Sequence, residues 1–240
     1  MFVLFLAALA STHGSALRFS HDGQLAMIPY QAPMDVKQMT LEAWIKVDDQ
    51  ARERFFNYIV SRNYGNLGFG FAIHGNPVKV FSQAPSVPVP MNVWTHVALV
   101  VSDKAQKLYV NGELAAAEAR DGELRPYARP FLIGNSPFSG EPGGQPTGFR
   151  GVIDEVRLWS KPHTQAEVRA TMNRYLRGNE PHLVAYLPFE EGKGQIVHDY
   201  SGHLLSGCVG NNFLVELDQD AEWVEGVPLK GRVPKIRTKR

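Results

Sequence analysis

Apolar and polar residues alternate with a period of two along much of this chain, in short runs. In MTLEAWIKV (residues 39–47), Leu41, Ala43 and Ile45 fall on one face and Thr40, Glu42, Trp44 and Lys46 on the other. That is the pattern of a strand with one covered face. Comparable runs recur at 16–19, 24–29, 58–62, 69–74, 78–81, 94–101, 106–110, 113–117, 130–134, 149–159, 183–189 and 195–199. Turn chemistry separates them. Ser20-His-Asp-Gly23 predicts a hairpin between the first two runs, and Asn111-Gly112 predicts a type I′ hairpin between 106–110 and 113–117. One stretch is helical: Thr164-Gln-Ala-Glu167 has the spacing of a capping box and predicts a helix to about Leu176, ending near Gly178. About a dozen short strands with one helix in the C-terminal half predict an all-β fold, an antiparallel β-sandwich of jelly-roll type. The Pro- and Gly-rich segments 84–90 and 136–148 read as surface loops within a single domain.

One strand carries an anomaly. In GVIDEVRLW (residues 151–159), strict alternation puts Val152, Asp154, Val156 and Leu158 on one face and Ile153, Glu155, Arg157 and Trp159 on the other. Asp154 is then an acid on an otherwise apolar face. Asp154 and Glu155 point apart and do not act as a pair.

The ends differ from the middle. MFVLFLAALA followed by STHGSA reads as a secretory signal peptide, residues 1–15, with cleavage between 10 and 16. The apolar run is too short to span a bilayer, and no later segment is long enough either. Residues 229–240 form a basic tail ending in Arg237-Thr-Lys-Arg240, which resembles a processing site. The formal net charge is nonetheless only +1, which argues against a nucleic-acid-binding surface. The single cysteine, Cys208, excludes an internal disulfide and a multi-cysteine zinc site.

Catalytic signatures are missing. There is no phosphate-binding Gly-rich loop, no His-Glu-x-x-His helix and no Gly-x-Ser-x-Gly elbow, and the eight histidines are scattered. Glycoside hydrolysis needs two carboxylates facing one cleft, and no strand presents such a pair at alternate positions. The loop SRNYGNLG offers Arg62, Asn63, Tyr64 and Asn66 as candidate ligand-binding residues, since an aromatic ring and amides suit sugar rings. The same residues also serve as turn formers. Trp44, Trp94 and Trp159 read as core or covering residues.

The blocks ALRFSHDGQLAMIP, MTLEAWIKV, NVWTHVALVVSDKAQKLYVNGEL, PFLIGNS, FRGVIDEVRLWSKPHTQAEV and LVAYLPFEEGKGQIVHDYSG together resemble the laminin-G-like, concanavalin A-like jelly-roll module, in the broad branch that includes pentraxin-like domains. The resemblance assigns 16–228 to that domain. It implies a secreted, non-catalytic recognition or adhesion module that binds a glycan or an extracellular protein. It also implies a structural calcium ion, with Asp154 as side-chain ligand and the Asp22-Gly23 turn supplying oxygens. The other reading of Asp154 is an anchor that accepts hydrogen bonds and holds no metal. The acidic cluster that pentraxins use for paired calcium ions is reduced here to Glu141. Two further readings are a divergent glycoside hydrolase or lyase of this fold, and a structural subunit of a surface assembly attached through Cys208 and the basic tail.

Overall fold

A computed structural model describes residues 14–53, 56–62, 70–74, 79–81, 86–125, 128–136, 147–210 and 220–231. Asn63, Tyr64, Asn66, the signal segment up to residue 13 and the tail from 232 onward lie outside the described residues. The strands form two eight-stranded sheets. The first contains β1 (Ser15–Phe19), β3 (Met39–Val47), β8 (Thr95–Val101), β9 (Ala105–Val110), β10 (Glu113–Ala119), β12 (Gly151–Trp159), β13 (Leu183–Leu187) and β16 (Glu222–Glu225). Its order is β10-β9-β8-β3-β12-β1-β16, with β13 on the far half of β12. The second contains β2 (Ala26–Ile28), β4 (Phe56–Ser61), β5 (Gly70–His74), β6 (Lys79–Phe81), β7 (Ser86–Pro88), β11 (Phe131–Ile133), β14 (Ile196–Val197) and β15 (Gly207–Val209), in the order β14-β15-β2-β11-β4-β5-β6-β7.

The alternation in β3 is borne out: Leu41, Ala43 and Ile45 join Leu17, Phe19, Val97, Leu99 and Ile153 in the core between the sheets. Each fully buried aliphatic side chain there is worth roughly 1.5–3 kcal/mol over its exposed state. Asn111 (φ 50°) and Gly112 (φ 75°) make the expected left-handed pair of a type I′ turn between β9 and β10. The first turn is different. Residues 20–23 do not close a hairpin, because β1 pairs with β12 and β16 while β2 pairs with β11 and β15 in the other sheet. The local turn chemistry is real, but it carries the chain from one layer to the other.

Strict alternation also fails in β12. Asp154 pairs with Trp44 and Arg157 with Glu42, so two residues, Glu155 and Val156, face the single Ala43. This is a β-bulge, and Glu155 takes a left-handed φ of 54° within it. The bulge resets the faces. Ile153, Val156 and Leu158 point into the core, whereas Asp154, Glu155, Arg157 and Trp159 gather on the outer side. A second shift, at Leu158–Trp159 opposite β13, sends Leu183 into an outer cluster with Trp159, Leu176, Tyr186 and Tyr200, while Ala185 and Leu187 stay in the core.

That outer cluster includes Leu176 from the segment after α1 (Gln165–Thr171), whereas Val168 of the helix packs in a separate outer cluster with Ala98, Val100 and Tyr109. The capping box forms as expected: Glu167 N donates to Thr164 Oγ1 at 3.3 Å and Thr164 N to Glu167 Oε2 at 2.8 Å. The helix is one turn shorter than its sequence pattern predicts. Trp44 Nε1 donates to Met172 O at 2.8 Å, and Arg157 donates to Thr171 O at 3.0 Å and Arg174 O at 2.9 Å. Side chains of the sheet thus satisfy carbonyls left open at the end of the helix.

Candidate functional site

The outer face of the first sheet divides into a covered part and an open part. The covered part is a buried polar network. Glu42 accepts from Trp159 Nε1 at 2.6 Å and lies 3.1 Å from His96 Nε2. Burial alone would raise the Glu42 carboxyl, but His96, Arg157 and the Trp159 indole outweigh it and hold the group at about 2. One step along β12, Glu155 is bound by the Arg157 guanidinium and accepts from Tyr186 OH at 3.0 Å. Burial dominates at Glu155, and the carboxyl is pushed up to about 7 despite Arg157. Asp154 is also raised well above the usual carboxylate range, by burial first and then by the Glu155 charge. These adjacent carboxyls do interact, contrary to the strict-alternation reading, because the bulge puts them on one side.

Asp154 accepts Glu155 N at 2.7 Å and Val227 N at 2.8 Å. Val227 belongs to the arm that follows β16, and the adjoining Gly226 N donates to Gly14 O at 2.8 Å. A Cβ at position 226 would stand 2.7 Å from Asp154 Oδ2 and 2.9 Å from Ser15 O, so this close approach requires glycine. Asp154 is therefore the anchor of the C-terminal arm.

The arm forms one wall of the open part. Register places Glu222, Arg18, Val152 and Lys46 in one cross-strand row on β16, β1, β12 and β3. Trp94 extends the row, since it immediately precedes Thr95, the partner of Ile45. Cross-strand partners share a face. Ile45, Leu17 and Ile153 point inward, so this row points out. Arg18, Lys46, Trp94 and Val152, with Val224, Glu225, Gly226 and Pro228 as the wall, enclose a groove of about 400 Å³. That volume lies in the range of small-molecule sites, roughly 300–1,000 Å³. Buried Val152 is its apolar floor, and Trp94 is partly exposed with an indole N–H that meets no protein acceptor among the described residues. Arg18 is tied to Asp48 at 2.6 Å. Trp94 is thus neither core nor cover. Alternation put Lys46 on the outer face but could not show which residues of distant strands stand beside it. A second, larger cleft of about 660 Å³ at the sandwich rim has no Trp, Tyr or Phe in its lining.

Of the residues expected to bind ligand only Arg62 lies among the described residues, and those expected to hold calcium do not converge. Arg62 is buried and acts as a strut: it donates to Met34 O at 2.6 Å and Arg129 O at 3.1 Å and pairs with Asp35 at 2.7 Å. Polarity in a loop sequence does not reveal such a buried use. The Asp22-Gly23 turn follows the last residue of β1, whereas Leu17 pairing with Ile153 places Asp154 beside the start of that strand. Arg150 lies 3.1 Å from the Asp22 carboxylate, and Asn135 Nδ2 donates to Asp22 O at 2.6 Å and Gln24 O at 3.2 Å. Calcium needs six to eight converging oxygens. Asp22, Gly23 and Asp154 do not supply them together, and both Asp154 oxygens already serve backbone N–H groups. Among the described residues, no group of three or more His, Cys, Asp or Glu side chains is arranged to hold a metal. Cys208, in β15 of the second sheet, is buried, which removes it as an exposed attachment point.

Comparison with known proteins fits this architecture. A search of curated protein sequences returned no match. Among solved structures, a protein from Bacteroides ovatus, provisionally described as a carbohydrate binding protein, superposes with a TM-score of 0.68 at 21% identity. The alignment covers 89% of this chain and 60% of that one, so the chain spans less than two thirds of that protein. The native heptameric SAP-like pentraxin of Limulus polyphemus aligns with a TM-score of 0.50 at 18% identity, over 67% of this chain and 82% of its own. These likenesses establish the fold. The model of the concanavalin A-like lectin/glucanases superfamily matches residues 20–169, which include Lys46, Trp94 and Val152 but not Arg18 or the arm. A match over more than half of its length, on a two-sheet antiparallel sandwich, makes this chain a member of the concanavalin A-like lectin/glucanases superfamily.

Proposed function

We propose that this chain is a non-catalytic carbohydrate-recognition module that acts outside the cell and binds its ligand in the groove above Val152. The observation that carries the reading is the make-up of that groove: one indole, two basic side chains and a single carboxylate, Glu225, around an apolar floor. An indole face matches the C–H face of a sugar ring, while Lys and Arg donate to hydroxyls. Glycosidic cleavage requires two carboxyl groups flanking the bond. Of the other carboxyl groups on this face, Asp154, Glu155 and Glu42 are buried in the network, and the exposed Glu222, beside Arg18 in the same row, is not part of the groove lining. The apolar segment at the start of the sequence supports secretion. Calcium forms no part of the proposal.

The test is a glycan array followed by calorimetry on the full chain, with Trp94→Ala alongside. Binding of defined saccharides that falls at least tenfold in Trp94→Ala is expected. Release of reducing ends from a polysaccharide panel, lost in Glu225→Gln, would replace recognition with hydrolysis.

A further inference from the structure

Within the groove, the charged groups differ in what they have left to offer. Arg18 is neutralised by Asp48 at 2.6 Å, and neighbouring Arg150 by Asp22 at 3.1 Å. Glu225, at the end of β16, has an interaction of its own. Lys46 is half-buried in the lining, and its ammonium makes no ion pair or hydrogen bond among the described residues. Among the described residues its ammonium is the one lining charge without an ion pair or hydrogen bond. Its position gives that charge a geometric meaning. Lys46 and Trp94 occupy neighbouring places in one row, separated by one inter-strand spacing of about 4.8 Å. A ring stacked on the indole therefore has Lys46 at its edge, within reach of a substituent on the ring itself. The Arg18 end of the row has Glu222 as the strand neighbour of Arg18, so an anion is disfavoured there.

We infer that the groove selects a saccharide whose stacked ring bears an anionic group, with the ring on Trp94 and the anion on Lys46. This rests on the carbohydrate-recognition reading above and adds the ligand class. A lysine reads charge rather than planar shape, so a uronic carboxylate and a sulfate ester share the required chemistry. With one open cation, the site reads one anionic group and is not a general polyanion surface; the chain's formal net charge of +1 agrees.

The experiment uses the full chain on an array of matched oligosaccharides: neutral, carboxylated, carboxyl-reduced and sulfated forms of the same backbones. Titrations follow for wild type, Lys46→Gln, Lys46→Arg and Trp94→Ala, each checked for folding by circular dichroism. The acidic forms should bind roughly tenfold more tightly than their neutral counterparts, the worth of one charge-assisted hydrogen bond. Lys46→Gln should erase that preference, bringing acidic and neutral forms to the same affinity, and Lys46→Arg should keep it. Raising the salt should weaken the acidic preference and spare the Trp94 contribution. The carboxylated and sulfated arms identify which anion is taken. Neutral and acidic forms bound equally, with Trp94→Ala still abolishing binding, would overturn the ligand class and leave carbohydrate recognition standing. An array with no binder in any arm would overturn both.

Discussion

Asp154→Ala is the sharpest perturbation of the link between fold and groove. The substitution removes the acceptor for two buried donors, Val227 N and Glu155 N. A buried N–H left without a partner costs about 1–3 kcal/mol. Against this stands a gain: burial and the neighbouring Glu155 both disfavour the Asp154 charge, so its removal relieves part of the cost of burying it. The balance is a net loss of roughly 2 kcal/mol, which for a domain of this size lowers Tm by about 4–8 °C. The loss should be local first. The arm at Gly226–Val227 is held by Asp154 and by Gly14, so its amides should exchange with deuterium about tenfold faster per 1.4 kcal/mol, while those of β3 and β8 change only with global stability. Hydrogen–deuterium exchange resolved by peptide, with a thermal melt, measures both. Asp154→Asn preserves one oxygen acceptor and should fall between wild type and Asp154→Ala. A melt within 1 °C of wild type, with unchanged exchange at Val227, would refute the anchor role.

Two further outcomes follow from the buried network. Arg157→Met strands Glu155 and frees the Thr171 and Arg174 carbonyls; breaking one side of a buried ion pair costs about 3–5 kcal/mol, and the double change with Glu155→Gln should recover a large part of it in chemical denaturation. The pH dependence of stability should have two limbs. Glu155, raised to about 7, keeps in the folded chain a proton that the unfolded chain has lost, so its contribution is complete below the usual glutamate range and fades as pH rises through about 7, by up to about 1.4 kcal/mol per pH unit. Glu42, held at about 2, does the opposite: its contribution is present above the usual range and is lost as pH falls toward 2. Urea melts across a pH series should show stability declining on both sides, and a flat profile between pH 5 and 8 would contradict the buried state of Glu155.

Much of the architecture was legible because it is written in local patterns. Period-two alternation identified β3, a continuous apolar run identified β8, Asn111-Gly112 identified its turn, and Thr164 with Glu167 identified the helix start. What could not be read depends on partners far away in the chain. The bulge at Glu155 is visible only once β3 supplies one residue opposite two. The turn at 20–23 looks like a hairpin because nothing local says that β1 and β2 belong to different layers. The helix stops at Thr171 because Arg157 and Trp44, from other strands, take the carbonyls beyond its end. The groove was hidden for the same reason: Arg18, Lys46, Trp94 and Val152 become neighbours only through cross-strand register.

The position of β1 has a consequence for how the protein is made. It is an inner strand, yet both its neighbours are synthesised late: β12 well past the middle of the chain and β16 near residue 225. On the ribosome, β1 emerges with Leu17 and Phe19 uncovered and both edges unpaired, long before either neighbour exists. Such a strand is exposed to wrong pairing throughout translation. The first sheet closes in its final order only when the last strand slides in beside the first, so the groove wall and the completed sheet arrive in the same late event.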